Sequence, residues 1–277
     1  MLSARNVLIT VEKEFLETVR NRWLQGFVLV FLILSFTVAA IAHWRTDSFD
    51  FDTVHRIHVS LLNLCLLLIP LMALLLGSQN VVAERADGFF ELMCTYPVSG
   101  FQLMFGKFLG AWAALGTGLL VGVGVTGLSL ALFTQSIGAG VFLALLVTST
   151  GLAGAFLAVG MVISSRSRSR GSALVTALVV WLLAVAVYDM VLVQAIVAWQ
   201  GHVHPLAFRA ALFANPVDVV RVLLTHWLGL GIDVGTNTGM LEVVTTPSTA
   251  SLVVALVLWS VLPMLVCRYK LHSSARG

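Results

Sequence analysis

The sequence predicts an all-α polytopic membrane protein, with six transmembrane helices behind an amphipathic interfacial helix, on two observations. Of its 277 residues, 59% are hydrophobic and only 10% charged, at a mean hydropathy of +0.99, whereas soluble domains carry about 25% charged residues. A bilayer needs about 20 consecutive apolar residues per spanning helix. Runs of that kind cover residues 24–44, 61–82, 103–133, 141–163, 174–197 and 252–267.

Taken in chain order, residues 1–22 form the first unit. Val7, Val11, Phe15 and Val19 stand four apart on one helical stripe, while Glu12, Lys13, Glu14, Glu17 and Arg20 lie off it, the pattern of a helix lying flat on the inner leaflet. The first apolar run comes after this charged stretch, is too long for a signal-peptide core and has no small-residue cleavage site after it, so it is expected to be retained. The second span carries Pro70, tolerated as a kink where neighbours re-satisfy the freed carbonyl. The third is overlong, with an interfacial entry turn expected around Lys107. Its glycines, Gly106, Gly110, Gly116, Gly118, Gly122, Gly124 and Gly127, include small-xxx-small pairs that let backbones approach closely. Residues 164–170, SSRSRSR, read as a tight turn between the fourth and fifth spans. The fifth holds Tyr188 and Asp189; with Asn63 and Gln194 these are the polar positions of a candidate translocation path, an interfacial Asp189 near the headgroups being the alternative.

Residues 23–277 form the membrane domain, and 200–248 is its one long extramembrane segment. Asn215, Pro216 and Asp218 fill Ncap, N1 and N3 of a helix start, followed by Val219, Val220, Leu223, Leu224 and Trp227 as an apolar face. Residues 206–213 are similarly amphipathic. Two short helices resting on the membrane surface are expected, then loop after Leu228.

The basic residues set the orientation. With a cytoplasmic N-terminus, Arg5, Lys13, Arg20, Arg22, Arg85, Lys107, Arg166, Arg168, Arg170, Arg268, Lys270 and Arg276 fall inside, and only Arg45, Arg56, Arg209 and Arg221 outside. That matches the positive-inside rule and puts both termini in the cytoplasm of a multi-pass inner-membrane protein. The net charge of +3 therefore speaks of topology and of anionic lipid, not of nucleic acid. Cys65, Cys94 and Cys267 are too scattered for a disulfide or metal framework.

The segment Glu84 to Ser99, ERADGFFELMCTYPVS, is short and dense in charge for so apolar a chain. Charged residues around an apolar anchor are what a rigid contact between two proteins needs. It resembles the first cytoplasmic loop of ABC-2 type permeases, a fold of the type V exporter kind. That resemblance implies ATPase coupling through residues 84–101, with Glu84, Arg85, Asp87, Gly88, Phe90, Glu91, Leu92 and Pro97 docking in a groove of the ATPase. The six-span plan and the segment 214–223, ANPVDVVRVL, are similar to the permeases of NosDFY-type transporters, which serve nitrous oxide reductase maturation. This implies a homodimer bound to two copies of a NosF-like ATPase, which holds ATP and Mg, and to a NosD-like periplasmic protein. The transported species would be a sulfur compound or a copper-site assembly factor. Phe208, Arg209, Phe213, Asp218, Arg221 and Trp227 are the candidate surface for the periplasmic partner.

Other readings compete with transport. His43, His55, His58, His202, His204 and His226 all fall outside, and His55/His58 and His202/His204 have chelating spacing, so a metal-handling protein or membrane enzyme is the second reading. No Cys or Met completes a ligand set, which makes His202 and His204 weak ligand candidates. The stretch 100–108, GFQLMFGKF, imitates a phosphate loop. It has five residues between its glycines, and Phe108 stands where Ser or Thr must ligate magnesium. With no nucleophile elbow, HExxH motif or paired carboxylates either, the chain is expected to be a transport subunit without catalytic residues or a cofactor of its own.

Overall fold

The computed structural model describes residues 2–45, 51–86, 100–134, 139–198, 205–228 and 247–274. Among these the elements are all helical: α1 Leu2–Val19, α2 Arg22–Arg45, α3 Phe51–Ala86, α4 Gly100–Thr134, α5 Ala139–Arg166, α6 Arg170–Leu182, a π-helical turn Leu183–Val187, α7 Tyr188–Ala198, α8 Pro205–Ala214, α9 Pro216–Leu228 and α10 Thr249–Ser274. Five stretches are long and apolar enough to cross a bilayer: one each in α3, α4, α5 and α10, and one running through α6 and α7. The sixth is α2 when paired with α1, from which it bends by 59°. That bend lets α1 diverge from the α2 axis, as an interfacial helix must.

Helix α5 is the core of the bundle. Leu152, Ala153, Ala155, Leu157, Ala158 and Met161 are fully buried, and α3, α4, α9 and α10 all pack on it. Its small residues make this possible. At the α3/α5 crossing Gly77 faces Gly160, and a Cβ on Gly77 would lie 2.6 Å from the Leu157 carbonyl. Lipid is as apolar as leucine, so such close backbone contact is what holds spans together. Ser164 at the end of α5 accepts hydrogen bonds at 2.9 Å from the backbone N–H groups of both Val81 and Val82.

Gly106, Gly110, Gly118, Gly122 and Gly127 of the third span pack closely as expected, whereas Gly124 faces open space. A Cβ on Gly118 or Gly122 would meet Val28 at 2.9 Å or Phe31 at 2.6 Å on α2. In contrast, the expected interfacial turn at Lys107 is corrected. Helix α4 is continuous through it, and Lys107 is only 3% exposed. The tight turn between the fourth and fifth spans is present. Arg166 ends α5, and Ser169 caps α6 through a reciprocal bond with Ser172.

For the second helix of the 205–228 segment the surface-resting picture is also corrected. Helix α9 sinks its apolar face into the bundle, where Val217, Val219, Val220, Leu223 and Leu224 are at most 2% exposed. It packs against α5 and α10, not on a lipid surface alone.

Candidate functional site

Two polar clusters stand out against this apolar bundle, one at each end of the spans. The first joins α1 to the helices that flank residues 87–99. Lys107 Nζ on α4 lies 2.7 Å from Glu84 Oε1 at the end of α3 and 3.0 Å from Glu14 Oε2 on α1. Asn80 Nδ2 donates to Glu14 Oε1 at 2.6 Å, and Lys13 Nζ approaches Glu84 at 4.0 Å. Burying a single ammonium costs several kcal/mol unless partners compensate it, which these two carboxylates do. Glu14, expected on the solvated side of α1, is instead buried to 7% exposure.

Sequence permits this contact through two glycines one turn apart. A Cβ on Gly110 would sit 2.6 Å from the Val11 carbonyl and 2.7 Å from Glu14 Cβ, and one on Gly106 would sit 2.9 Å from Thr10. Only bare backbone on α4 lets α1 approach near enough for Glu14 to reach Lys107. The signal was available as an isolated lysine in an apolar helix, which by itself calls for a buried counter-charge; its partner, 93 residues away, was not.

Beside this cluster two arginines tie helix ends together. Arg85 donates to the Ser165 carbonyl at 3.1 Å and Arg170 to the Ala83 carbonyl at 3.3 Å, so each satisfies a terminal acceptor of the other hairpin. Of the residues assigned to ATPase coupling, Glu84 and Arg85 are thus anchored here. Asp87, Gly88, Phe90, Glu91, Leu92 and Pro97 lie outside the described residues, as do His202 and His204 of the weak metal pair. Among the described residues no group of three metal-ligating side chains occurs.

The second cluster is centred on Arg221 of α9. Its guanidinium donates at 2.6 Å to Asp189 Oδ2 on α7 and at 2.9 Å to Asp218 Oδ1 one turn earlier on α9. The π turn immediately before α7 rotates the faces of that helix by roughly 100°, and so decides where Asp189 points. Asn215 locks the two parts together. Its Oδ1 caps α9 through the Val217 N–H at 3.1 Å, and its Nδ2 donates at 2.7 Å to the Ala184 carbonyl within the π turn. Tyr188 Oη completes the seat by donating to the Ala211 carbonyl of α8 at 2.6 Å. Burial pushes the Asp218 carboxyl up to about 6; Arg221 pulls it down and the Asp189 charge pushes it further up.

For the surface assigned to a periplasmic partner, the structure leaves Trp227 42% exposed, and Phe208, Arg209 and Phe213 half-buried. Asp218, however, is turned inward and only 3% exposed. Of the path residues, Tyr188 and Asp189 belong to the cluster, while Asn63 and Gln194 are exposed on α3 and α7 and stand outside it. The π turn and the α9 seat had no sequence signal beyond the Asn215–Pro216 start.

Comparison with known proteins bears on the whole chain. The profile of ABC-2 family transporter proteins matches residues 8–273. The probable ABC transporter permease protein NosY of Stutzerimonas stutzeri is 33% identical over 228 residues, 80% of this chain and 83% of the relative. The protein of the same description from Pseudomonas aeruginosa is 32% identical over 254 residues, 90% and 91% of the two chains. The bundle, its close-packed central helix and the charged clusters at the span ends are therefore those of an ABC transporter permease subunit, and the chain belongs to the ABC-2 family.

Proposed function

We propose that this permease is driven in trans by a separate ATPase that docks on residues 84–101 and that it works as a homodimer in the inner membrane, both termini cytoplasmic. The observation that carries this reading is the Glu84–Lys107 pair at 2.7 Å with Glu14 closing over it. The pair ties together the two helices that enter and leave the 87–99 segment. A push on that segment would move α3 and α4 as a unit with α1, not flex one helix end. ATP and Mg belong to the ATPase, present in two copies as a NosF-like subunit. The exposed apolar face of α6 and α7, with Val175, Leu178, Val179, Leu182, Met190 and Val193, is available to the second copy. The relatives' name supports a place in nitrous oxide reductase maturation, exporting a sulfur species or an assembly factor. A NosD-like periplasmic protein would then meet Phe208, Arg209, Phe213, Arg221 and Trp227.

The test is Glu91→Lys, which alters only the docking segment. The variant is expected to insert and purify as well as wild type but to lose co-purification with the ATPase and, in cells, the maturation it powers. Undiminished ATPase recovery with Glu91→Lys would remove the assignment.

A further inference from the structure

Counted over the described residues, the Arg221 cluster is one unit charge short of neutral. Arg221 supplies one positive charge to Asp189 and Asp218, whose side chains are 30% and 4% exposed. Each carboxylate gives one oxygen to the guanidinium. The other oxygens, Asp189 Oδ1 and Asp218 Oδ2, are buried and accept no hydrogen bond from any described residue. Both carboxylates are held against the same guanidinium, at 2.6 and 2.9 Å. Two ionised carboxylates in that position repel, and a buried acceptor left unpaired costs free energy. One hydrogen on the pair removes the repulsion, makes the cluster neutral and turns one orphaned acceptor into a neutral hydroxyl.

Among the described residues, Arg221 is the cation that bonds the pair. On α9 the remaining titratable residue is His226, which is exposed, more than one turn beyond Arg221. Tyr188 donates its hydroxyl to the Ala211 carbonyl, and α8 carries Arg209. Helix α5 has no ionisable residue except Arg166, and α10 none before Cys267. At the start of α3 stand Asp52, His55, Arg56 and His58, whose side chains are outside the described residues.

We propose that Asp189 and Asp218 form a binding site for one exchangeable proton, with Arg221 as its fixed counter-charge, and that this proton sets how firmly α9 is seated on the π turn. The connection to α9 is direct, because Asp218 lies in its first turn, three residues after the Asn215 cap that bonds to Ala184. The elevated carboxyl of Asp218 is consistent with exchange near pH 6. Because the folded protein holds this proton more tightly than the unfolded chain, protonation stabilises. The benefit is greatest in acid and is lost as pH rises from about 4 through about 6.

The experiment uses the full-length permease in lipid nanodiscs. Dicyclohexylcarbodiimide, which reacts with protonated carboxyls in apolar surroundings, is followed by mass analysis at Asp218. Labelling is expected to fall about tenfold between pH 5 and pH 7, as a single group titrating near 6 requires, and to be indifferent to sodium. Thermal unfolding is measured alongside for wild type, Asp218→Asn and Asp189→Asn, isosteric changes that keep the contact with Arg221. Wild type should lose thermal stability between pH 5 and pH 7, and both variants should show a flatter profile. The proposal is overturned if wild type and variants have parallel profiles, or if sodium protects Asp218 at constant pH, which would make the occupant a metal cation.

Discussion

The two polar clusters have the same core recipe, one cation between two carboxylates, yet they differ in what surrounds it. At the Lys107 end, Glu14 also receives Asn80, and Lys13 stands 4.0 Å from Glu84. Both oxygens of Glu14 are therefore bonded, while Lys13 is shared with Glu17 at 3.5 Å and, among the described residues, Glu84 Oε2 is the one buried carboxylate oxygen left without a partner at this end. At the Arg221 end two other carboxylates, Asp189 and Asp218, meet one guanidinium, and one oxygen of each is left over. The number of additional donors, not the presence of buried charge, separates a permanent clasp from a site that responds to its surroundings. A buried ion pair is poor evidence of stability in itself, but removing one member of a balanced set has a large and predictable cost.

The largest expected effect comes from that asymmetry. Lys107→Met leaves Glu14 and Glu84 buried without their shared cation, and should cost on the order of 3 to 5 kcal/mol. It would be read as a collapse of the monodisperse peak and of the unfolding midpoint in detergent. Adding Glu14→Gln and Glu84→Gln to Lys107→Met should recover much of the loss; a triple variant as unstable as the single one would mean that packing, not charge balance, is at stake.

A smaller effect tests how α1 is admitted to the clasp. Gly110→Ala places a methyl 2.6 Å from the Val11 carbonyl, and the forced shift of α1 should cost about 1 to 3 kcal/mol. Gly124 has nothing within 4 Å of its Cβ position, so Gly124→Ala should be neutral or stabilise slightly, by up to about 1 kcal/mol, through helix propensity. Equal unfolding midpoints for the two alanine variants would show that close α1–α4 approach is not what the glycines provide.

The smallest effect concerns the Arg221 end. Asn215→Ala removes the α9 cap and the bond to the π turn, a loss of roughly 1 to 2 kcal/mol. Hydrogen exchange should then rise in residues 216–221 while the α3–α5 crossing keeps its protection. Loss of protection at both would join the two ends into one cooperative unit and weaken the contrast between them.

Local physics makes much of this legible. The spans can be counted because any crossing helix needs a long apolar run, wherever it ends up packing. The caps at Asn215 and Ser169 involve neighbours two or three residues away, and the family resemblance rests on contiguous stretches. Asp218 stands at N3 of its helix for the same local reason, although its burial has no local signal.

Tertiary structure alone decided the rest. Residues 140–166 of α5 and 170–195 of α6–α7 are both apolar enough to span a bilayer, but the first is the buried core and the second largely exposed. Because hydrocarbon lipid and a neighbouring leucine are nearly equivalent solvents for a side chain, hydrophobicity specifies that a segment enters the membrane and not which face it shows to protein. The ion pairs were hidden in the same way. Glu14 finds Lys107 across 93 positions and Arg221 finds Asp189 across 32, separations set by glycine-thin helix crossings and a π turn. The sequence determined which charges had to be compensated, and only the packing of helices chose their partners and left one pair of carboxylates without enough of them.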